Sequence, residues 1–292
     1  MTIKNMSSQK FTPQFYTTSY LPTWCPGCGD FGILAAIKNA LSELQISPHS
    51  IVIVYGIGCA GNMNNNIKCY AFHSLHGRTL PVAVGVKLAN KNLKVITVAG
   101  DGDYYGEGGN HFLHTARYNA DILSIVCNNR LFSLTTGQSS PTSEIGMISK
   151  TTPYGEIKQP LNPIALSLAA GATFVARGAA FEIPHLTDLI KQGLEHKGFA
   201  HIDVFQQCVT FNKTQTVEWY KEKIYKLEEA GHDTNNFKAA LDKSLETEKL
   251  PIGVFYETEK PSYEDGFEQL QGKPLVEQKT NYAKEELMKE FM

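Results

Sequence analysis

No apolar run in this 292-residue sequence approaches the roughly 20 residues that a bilayer-crossing helix needs. No block of lysine and arginine stands out and the formal net charge is −2, so neither nucleic acid nor an anionic membrane surface is indicated as a partner. The opening MTIKNMSSQK lacks the charged-then-apolar pattern of a secretory signal. Six cysteines in a chain of this length, without such a signal, argue against a disulfide scaffold, and the expected compartment is a reducing cytoplasm. Internal repeats and low-complexity tracts are also missing. What is present is 42% hydrophobic and 19% charged residues, the balance of a globular chain that can bury a substantial core as one large domain or two small ones.

Short apolar runs alternate with helical patterns. SIVIVYGIG (50–58), LKVITVAG (93–100), ADILSIVCNN (120–129), GATFVARG (171–178) and FAHIDVFQQC (199–208) read as buried strands. Residues 30–46 read as a helix with Asp30 as N-cap and Ile33, Leu34, Ile37 and Leu41 on one face. HFLHTARY and PHLTDLIKQGLEHKG read as helices too, the second closing on Gly198. Val- and Ile-rich strands separated by helices predict an α/β fold, a mostly parallel sheet with helices on both faces. After about residue 210 the chain becomes more charged. One amphipathic helix is expected at 216–230, with Val217, Tyr220, Ile224 and Leu227 inward, followed by a tail that wraps the domain or meets a partner subunit.

The strongest chemical signal is Gly-Asp-Gly at 100–102, directly after a strand, with Asn128 and Asn129 ending the next one. In an open parallel sheet both spots lie at the carboxyl ends of strands, where such sheets bind ligands. Asp101 offers an anionic oxygen, Asn129 a neutral one and the Leu131 carbonyl a third. Hard oxygen donors with room left for phosphate oxygens describe Mg²⁺ held with a diphosphate. The glycines admit close backbone approach, and a helix starting near Gly106 would aim its amides at the phosphates. Alone, Gly-Asp-Gly is ordinary turn chemistry; with the Asn pair at this spacing, the segment resembles the thiamine-diphosphate motif.

Cys25 and Cys28 form a C-x-x-C in TWCPGCGDFG. A thiol–disulfide pair of the thioredoxin kind follows a buried strand, whereas FYTTSYLPT is polar and broken by proline. Cys59 and Cys208 each lie just past a strand end and could complete a four-thiolate site. Spacing does not choose between Zn²⁺, a [4Fe–4S] cluster and unlinked buried thiols. Cys127, inside an apolar strand, is expected in the core, and Cys69 carries no ligand signal. His111 and His114 sit one turn apart and read as helix-face residues, since no third ligand is evident.

Taken in order, WCPGCGDFG, GIGCAGN, LHGRTLPVAVGVKLAN, GDGDYYGEGGNHFLHTARYN, NNRLFSLTTGQSSPTS and FQQCVTFN closely resemble the β subunit of 2-oxoacid:ferredoxin oxidoreductases. The likeness runs from about residue 20 to 215, with a weaker echo at 250–265. It implies an N-terminal extension (1–20), a thiamine-diphosphate-binding α/β domain (21–212) and a C-terminal helical segment and tail (213–292). It implies that Cys25, Cys28, Cys59 and Cys208 ligate one [4Fe–4S] cluster, that Asp101, Asn129 and the Leu131 carbonyl bind Mg²⁺ and thiamine diphosphate, and that Gly58, Gly100, Gly102 and Asp103 line the cofactor. His76, in HSLHGR, is expected beside the cofactor or substrate, and Leu134 at the reacting centre; Arg78 is either part of that group or a structural ion-pair member. The implied reaction decarboxylates a 2-oxoacid, passes the acyl group to coenzyme A and sends electrons to ferredoxin or flavodoxin. The glutamate that activates the cofactor's pyrimidine belongs, in the family, to a domain on the α subunit, so this chain is expected to be inert alone. Many relatives carry lysine at Thr136 and a basic residue near Asn62. Their absence here counts against 2-oxoglutarate as the preferred substrate while leaving it open.

Three other readings compete. A cluster-bearing electron-transfer or interaction subunit that has lost thiamine chemistry conflicts with intact Asp101 and Asn129. A stand-alone thiamine enzyme conflicts with the chain length and the four cysteines. A Zn-stabilised α/β protein would be colourless, whereas an iron–sulfur protein is brown.

Overall fold

The structure, a computed structural model, describes residues 10–279 together with 288, 289 and 291. Eight strands form one sheet: β1 (Ile51–Tyr55), β2 (Tyr70–His73), β3 (Lys94–Gly100), β4 (Ile122–Asn128), β7 (Phe174–Ala179), β8 (Phe199–Phe205), β9 (Ile224–Lys226) and β10 (Leu250–Glu257). Their order is β2-β1-β3-β4-β8-β7-β10-β9. All neighbours pair parallel except β10 with β7. A separate two-stranded ribbon, β5 (Leu131–Phe132) with β6 (Gln138–Ser139), rises from the end of β4.

Alternate residues of the central strands feed two cores, as expected of a sheet covered on both faces. On one face α1 (Asp30–Glu43) and α5 (Ile183–Glu195) pack over Ile53, Ile96, Val98, Leu123, Ile125 and Ile202. On the other, α2 (Thr79–Ala89), α3 (Gly109–Tyr118), α4 (Pro163–Ala170) and α7 (Phe237–Ser244) cover Val54, Val95, Val126, Val175 and Phe255. The predicted face of α1 is buried: Ile33, Leu34, Ile37 and Leu41 all lie in the core, each contributing roughly 1.5–3 kcal/mol of transfer free energy.

Three local expectations change. Asp30 does not cap α1. Gly29 holds the cap position without a side-chain bond, and Asp30 is the first helical residue, fully buried beside Cys28. The helix expected over 216–230 stops after α6 (Val217–Lys223), because Ile224–Lys226 pairs as β9 with Leu250–Ile252. Residues beyond 213 therefore do more than wrap the domain; they add β9 and β10 to its sheet. The helical run after β3 begins at Gly102 rather than near Gly106, as a π-type turn (Gly102–Glu107) that leads into α3. Such wide turns collect at functional sites.

Candidate active site

The carboxyl ends of β1, β3, β4 and β8, adjacent through β1-β3-β4-β8, bring the two predicted centres to one rim. Two cavities lie there. The first, about 270 Å³, is lined by Cys25, Cys28, Cys59 and Cys208 together with Trp24, Asn62 and Phe211. The second, about 70 Å³, is lined by Gly58, His76, Gly100, Gly102, Asp103, Asn129, Leu131 and Leu134. Cys59, Asn129, Ser133 and Leu134 line both, so the cavities share a wall. A larger cleft, about 810 Å³, lies at the opposite rim near His196 and Glu257 and shares no residue with either.

Asp101 is fully buried at the tip of β3. Its Oδ2 accepts hydrogen bonds from Ser140 Oγ (2.5 Å) and Thr142 Oγ1 (2.6 Å), while Oδ1 has no partner among the described residues. Burial pushes its pKa up to about 6, with the two hydroxyls pulling the other way. Asn129 donates to Ser133 Oγ (2.9 Å) and to Gln206 Oε1 (3.2 Å), and its Oδ1 accepts from the Leu131 amide (3.0 Å). An amide oxygen has two lone pairs, so one remains free. A buried carboxylate oxygen, a neutral amide oxygen and a backbone carbonyl are donor types that suit Mg²⁺; Asn129 and Leu131 line the second cavity, and the neighbours of Asp101, Gly100 and Gly102, form its wall.

Asp103 lines the second cavity and also braces it. Its carboxylate accepts from the amides of Ile57 (2.7 Å) and Gly77 (3.1 Å) and faces His76 Nδ1 at 3.5 Å. It ties the loops after β1 and β2 to the turn after β3, and so sets the cavity wall. Gly102 has a steric reason: a Cβ there would meet the Phe132 ring at 2.3 Å. Arg78 makes no ion pair among the described residues; its guanidinium caps the carbonyls of Gly77 and Glu107. Leu134 is half exposed at the junction of the two cavities. Thr136 takes a φ of 83° and is approached by Lys150 Nζ at 3.4 Å.

The four thiols ring their cavity instead of converging. Among the described residues, no three His, Cys, Asp or Glu side chains meet as a single ion requires, since Zn²⁺ draws each sulfur to about 2.3 Å. Four thiols lining one cavity are the donor chemistry that a [4Fe–4S] cluster takes. Burial pushes Cys59 up to about 11 and Cys28 well above the usual thiol range, so a cationic centre must displace their protons on binding. Gln206 links the centres, donating to Cys28 Sγ at 3.5 Å and accepting from Asn129. Cys127 is core, in β4, and Cys69 is half-buried against the same core. His111 and His114 both lie on α3. Gln206, Ser140, Thr142 and Ser133 were missed from the sequence. Gln206 and Ser133 directly follow the apolar strands β8 and β5, a sequence signal that Ser140 and Thr142 lack.

The chain matches the family model described as the C-terminal TPP-binding domain of thiamine pyrophosphate enzymes over residues 56–204. Residues 208–272 match the C-terminal region of the pyruvate ferredoxin oxidoreductase β subunit. The class is thus a thiamine pyrophosphate enzyme, on a fold and a strand-end site of the kind described. Among curated proteins, it is 45% identical over 250 residues to the 2-oxoacid:ferredoxin oxidoreductase subunit β of Saccharolobus solfataricus, covering 81% of this chain and 82% of that one. It is 44% identical over 269 residues to the corresponding subunit of a Sulfolobus species, covering 87% and 86%. Its structure aligns with a TM-score of 0.89 and 36% identity, over 98% of this chain and 97% of the other, to a 2-oxoglutarate:ferredoxin oxidoreductase from Magnetococcus marinus solved with 2-oxoglutarate, coenzyme A and succinyl-CoA bound. The chain belongs to the family of 2-oxoacid:ferredoxin oxidoreductase β subunits, and is an enzyme subunit with a thiamine-diphosphate-type domain.

Proposed function

We propose that this subunit binds thiamine diphosphate with Mg²⁺ through Asp101, Asn129 and the Leu131 carbonyl, and one [4Fe–4S] cluster through Cys25, Cys28, Cys59 and Cys208. With its α partner it would couple decarboxylation of a 2-oxoacid to acyl-CoA formation and to reduction of ferredoxin or flavodoxin in the cytoplasm. The observation that carries this reading is the shared wall: Cys59, Asn129, Ser133 and Leu134 border both cavities. Thiamine diphosphate, when bound, supplies the electron sink that decarboxylation requires, and the cluster a one-electron acceptor.

The chain's own residues then have separable tasks. Asp101 Oδ1 and Asn129 Oδ1 hold the metal end. Gly100 leaves open space, its nearest Cβ contact being 4.0 Å away, so the diphosphate can approach backbone. Asp103 fixes the wall and orients His76, whose ring faces the cavity as a polar group for cofactor or substrate. Leu134 excludes water where the reacting carbon would sit. Trp24, donating from Nε1 to the Cys59 carbonyl at 2.8 Å, seals one side of the thiol cavity. Among the residues lining either cavity no lysine or arginine occurs, which favours a 2-oxoacid without a distal carboxylate, unless the partner or Lys150 supplies the charge.

The test is anaerobic purification of the complex with its α partner, followed by iron and sulfide analysis and assay of CoA-dependent ferredoxin reduction with pyruvate, 2-oxoglutarate and branched 2-oxoacids. The protein should be brown and turn over at least one of them. Asp101→Ala should lower turnover beyond the roughly hundredfold that losing an outer hydrogen bond costs at a metal site. Undiminished turnover in that variant would remove Asp101 from the site.

A further inference from the structure

Ser140-Pro141-Thr142-Ser143 is a tetrapeptide just beyond β6 whose side-chain oxygens all turn inward. Ser140 and Thr142 hydroxyls both donate to one oxygen of Asp101, Oδ2, at 2.5 and 2.6 Å. Thr142 Oγ1 also lies 2.9 Å from Asn128 Oδ1. Ser143 Oγ donates to the Arg130 carbonyl at 2.6 Å and accepts from the Ser140 amide at 2.8 Å. The segment therefore touches the turn after β3 and the turn after β4 at once. All three hydroxyl residues are buried.

A carboxylate rotates about its last bond, and a buried one would ordinarily share its hydrogen bonds between both oxygens. Here two donors converge on Oδ2 and none reaches Oδ1, although Oδ1 is equally buried. Among the described residues, the asymmetry leaves Oδ1 as the carboxylate oxygen of Asp101 without a partner. We propose that Ser140 and Thr142 are positioning residues for the cofactor-anchoring carboxylate: their hydroxyls lock Asp101 with Oδ1 presented to the metal, while Ser143 clips the Asn128–Leu131 turn in register with it. The proposal rests on the reading of Asp101 as a metal ligand and adds the residues that aim it. Losing an outer hydrogen bond to a metal ligand typically costs about 10- to 100-fold in metal affinity.

The test uses the purified complex with its α partner, stripped of cofactor, and measures Mg²⁺-dependent thiamine diphosphate binding by calorimetric titration. Thr142→Val removes the hydroxyl at constant shape and should weaken binding about 10- to 100-fold. Thr142→Ser, which keeps the hydroxyl, should return to within about threefold of the parent, well inside that range. Thr142→Val should also lower the melting temperature, since it leaves buried acceptors short of a donor, so affinity is measured well below the melting transition and the Ser variant supplies the rescue. Unchanged affinity in Thr142→Val, or equal loss in Val and Ser variants, overturns the proposal. Should Thr142→Val fail to assemble, Ser140→Ala reads the same carboxylate, with weakened binding expected and undiminished binding overturning it. Asp101→Asn separates the underlying reading: loss there with none in Thr142→Val defeats only the positioning role, whereas unaffected binding in Asp101→Asn defeats the metal-ligand assignment itself.

Discussion

His201 lies in the middle of β8, fully buried, with every ring nitrogen spoken for. Ser124 Oγ lies 3.0 Å from Nδ1, Tyr105 Oη lies 3.0 Å from Nε2, and Tyr105 in turn donates to Asp203 Oδ1 at 3.1 Å. The arrangement is satisfied by a neutral ring with its proton on Nε2. Burial, aided by the Arg177 guanidinium, pushes its pKa down to about 3. In the unfolded chain a histidine titrates near its ordinary 6.5, so as pH falls below that value the unfolded state takes up a proton that the folded state refuses. The stability contributed by the neutral ring is thus present above pH of about 6.5 and lost toward pH 3. Asp30 and Asp101, raised to about 6 by burial, act with the opposite sign, so the comparison must be against a His201→Gln variant that shares them. The unfolding free energy of the parent relative to the variant should fall by about 1.4 kcal/mol per pH unit below 6.5. A difference independent of pH would mean that the ring is not held neutral. At this scale the sequence is informative where chemistry is local. Asp101 and Asn129 stand out because each follows a strand directly. Ser140, Thr142 and Gln206 do not, because their partners are between 39 and 178 residues away, and hydroxyl and amide residues in a loop look the same whether they face water or a carboxylate.

Helix α1 shows how one element ties the cysteine loop to the sheet. It begins two residues after Cys28, and its Gly32 sits against the Ala180 carbonyl so tightly that a Cβ would fall 1.9 Å from that oxygen. The obstacle is backbone, not a side-chain tip, and it follows β7 directly. Gly32→Ala therefore cannot be absorbed by a rotamer change; it must lift α1 from the sheet, at a cost of about 1–3 kcal/mol or somewhat more. Because Cys28 and Asp30 ride on the same end of α1, the displacement should also widen the thiol cavity. A lower melting temperature together with lower iron content per chain is expected, and a melting change with full iron occupancy would show that the cavity tolerates the shift. The sequence pattern located α1 because four apolar residues at helical spacing had one face to bury. The same logic failed at 216–230, where Val217, Tyr220, Ile224 and Leu227 have helical spacing too. There, an available neighbour, Leu250–Ile252, offers backbone hydrogen bonds to Ile224–Lys226, and tertiary pairing overrides a local periodicity. Sequence periodicity says which residues want burial; it does not say whether a strand edge lies waiting.

Among the described residues, one eight-stranded sheet carries both cavities at its strand ends, and that bears on what the chain can do unaided. The cavity beside Asp101 measures about 70 Å³, well below the roughly 300 Å³ at which pockets for cofactor-sized ligands begin. Leu134, at its mouth, is 51% exposed, an apolar side chain left half uncovered where water exclusion matters most. A site that walls one end of a cofactor and leaves its mouth open is complete only when another surface closes over it, and the family to which this chain belongs consists of subunits of larger oxidoreductases. Asp101 and Asn129, both buried, and the four thiols, of which Cys25 is exposed and Cys208 buried, nevertheless all belong to this chain and already share one rim. Assembly and catalysis should therefore separate experimentally. Expressed alone and reconstituted anaerobically, the chain should take up iron and sulfide, yet show no 2-oxoacid turnover above background; adding the purified α partner should restore turnover in proportion to complex formed, up to equimolar mixing. Titrating the partner while following both the visible absorbance and ferredoxin reduction makes the distinction, since absorbance should stay level as activity rises. Turnover by the isolated chain would mean that its own rim closes the site, and absorbance that appears only with the partner would mean that the thiol cavity is not preformed.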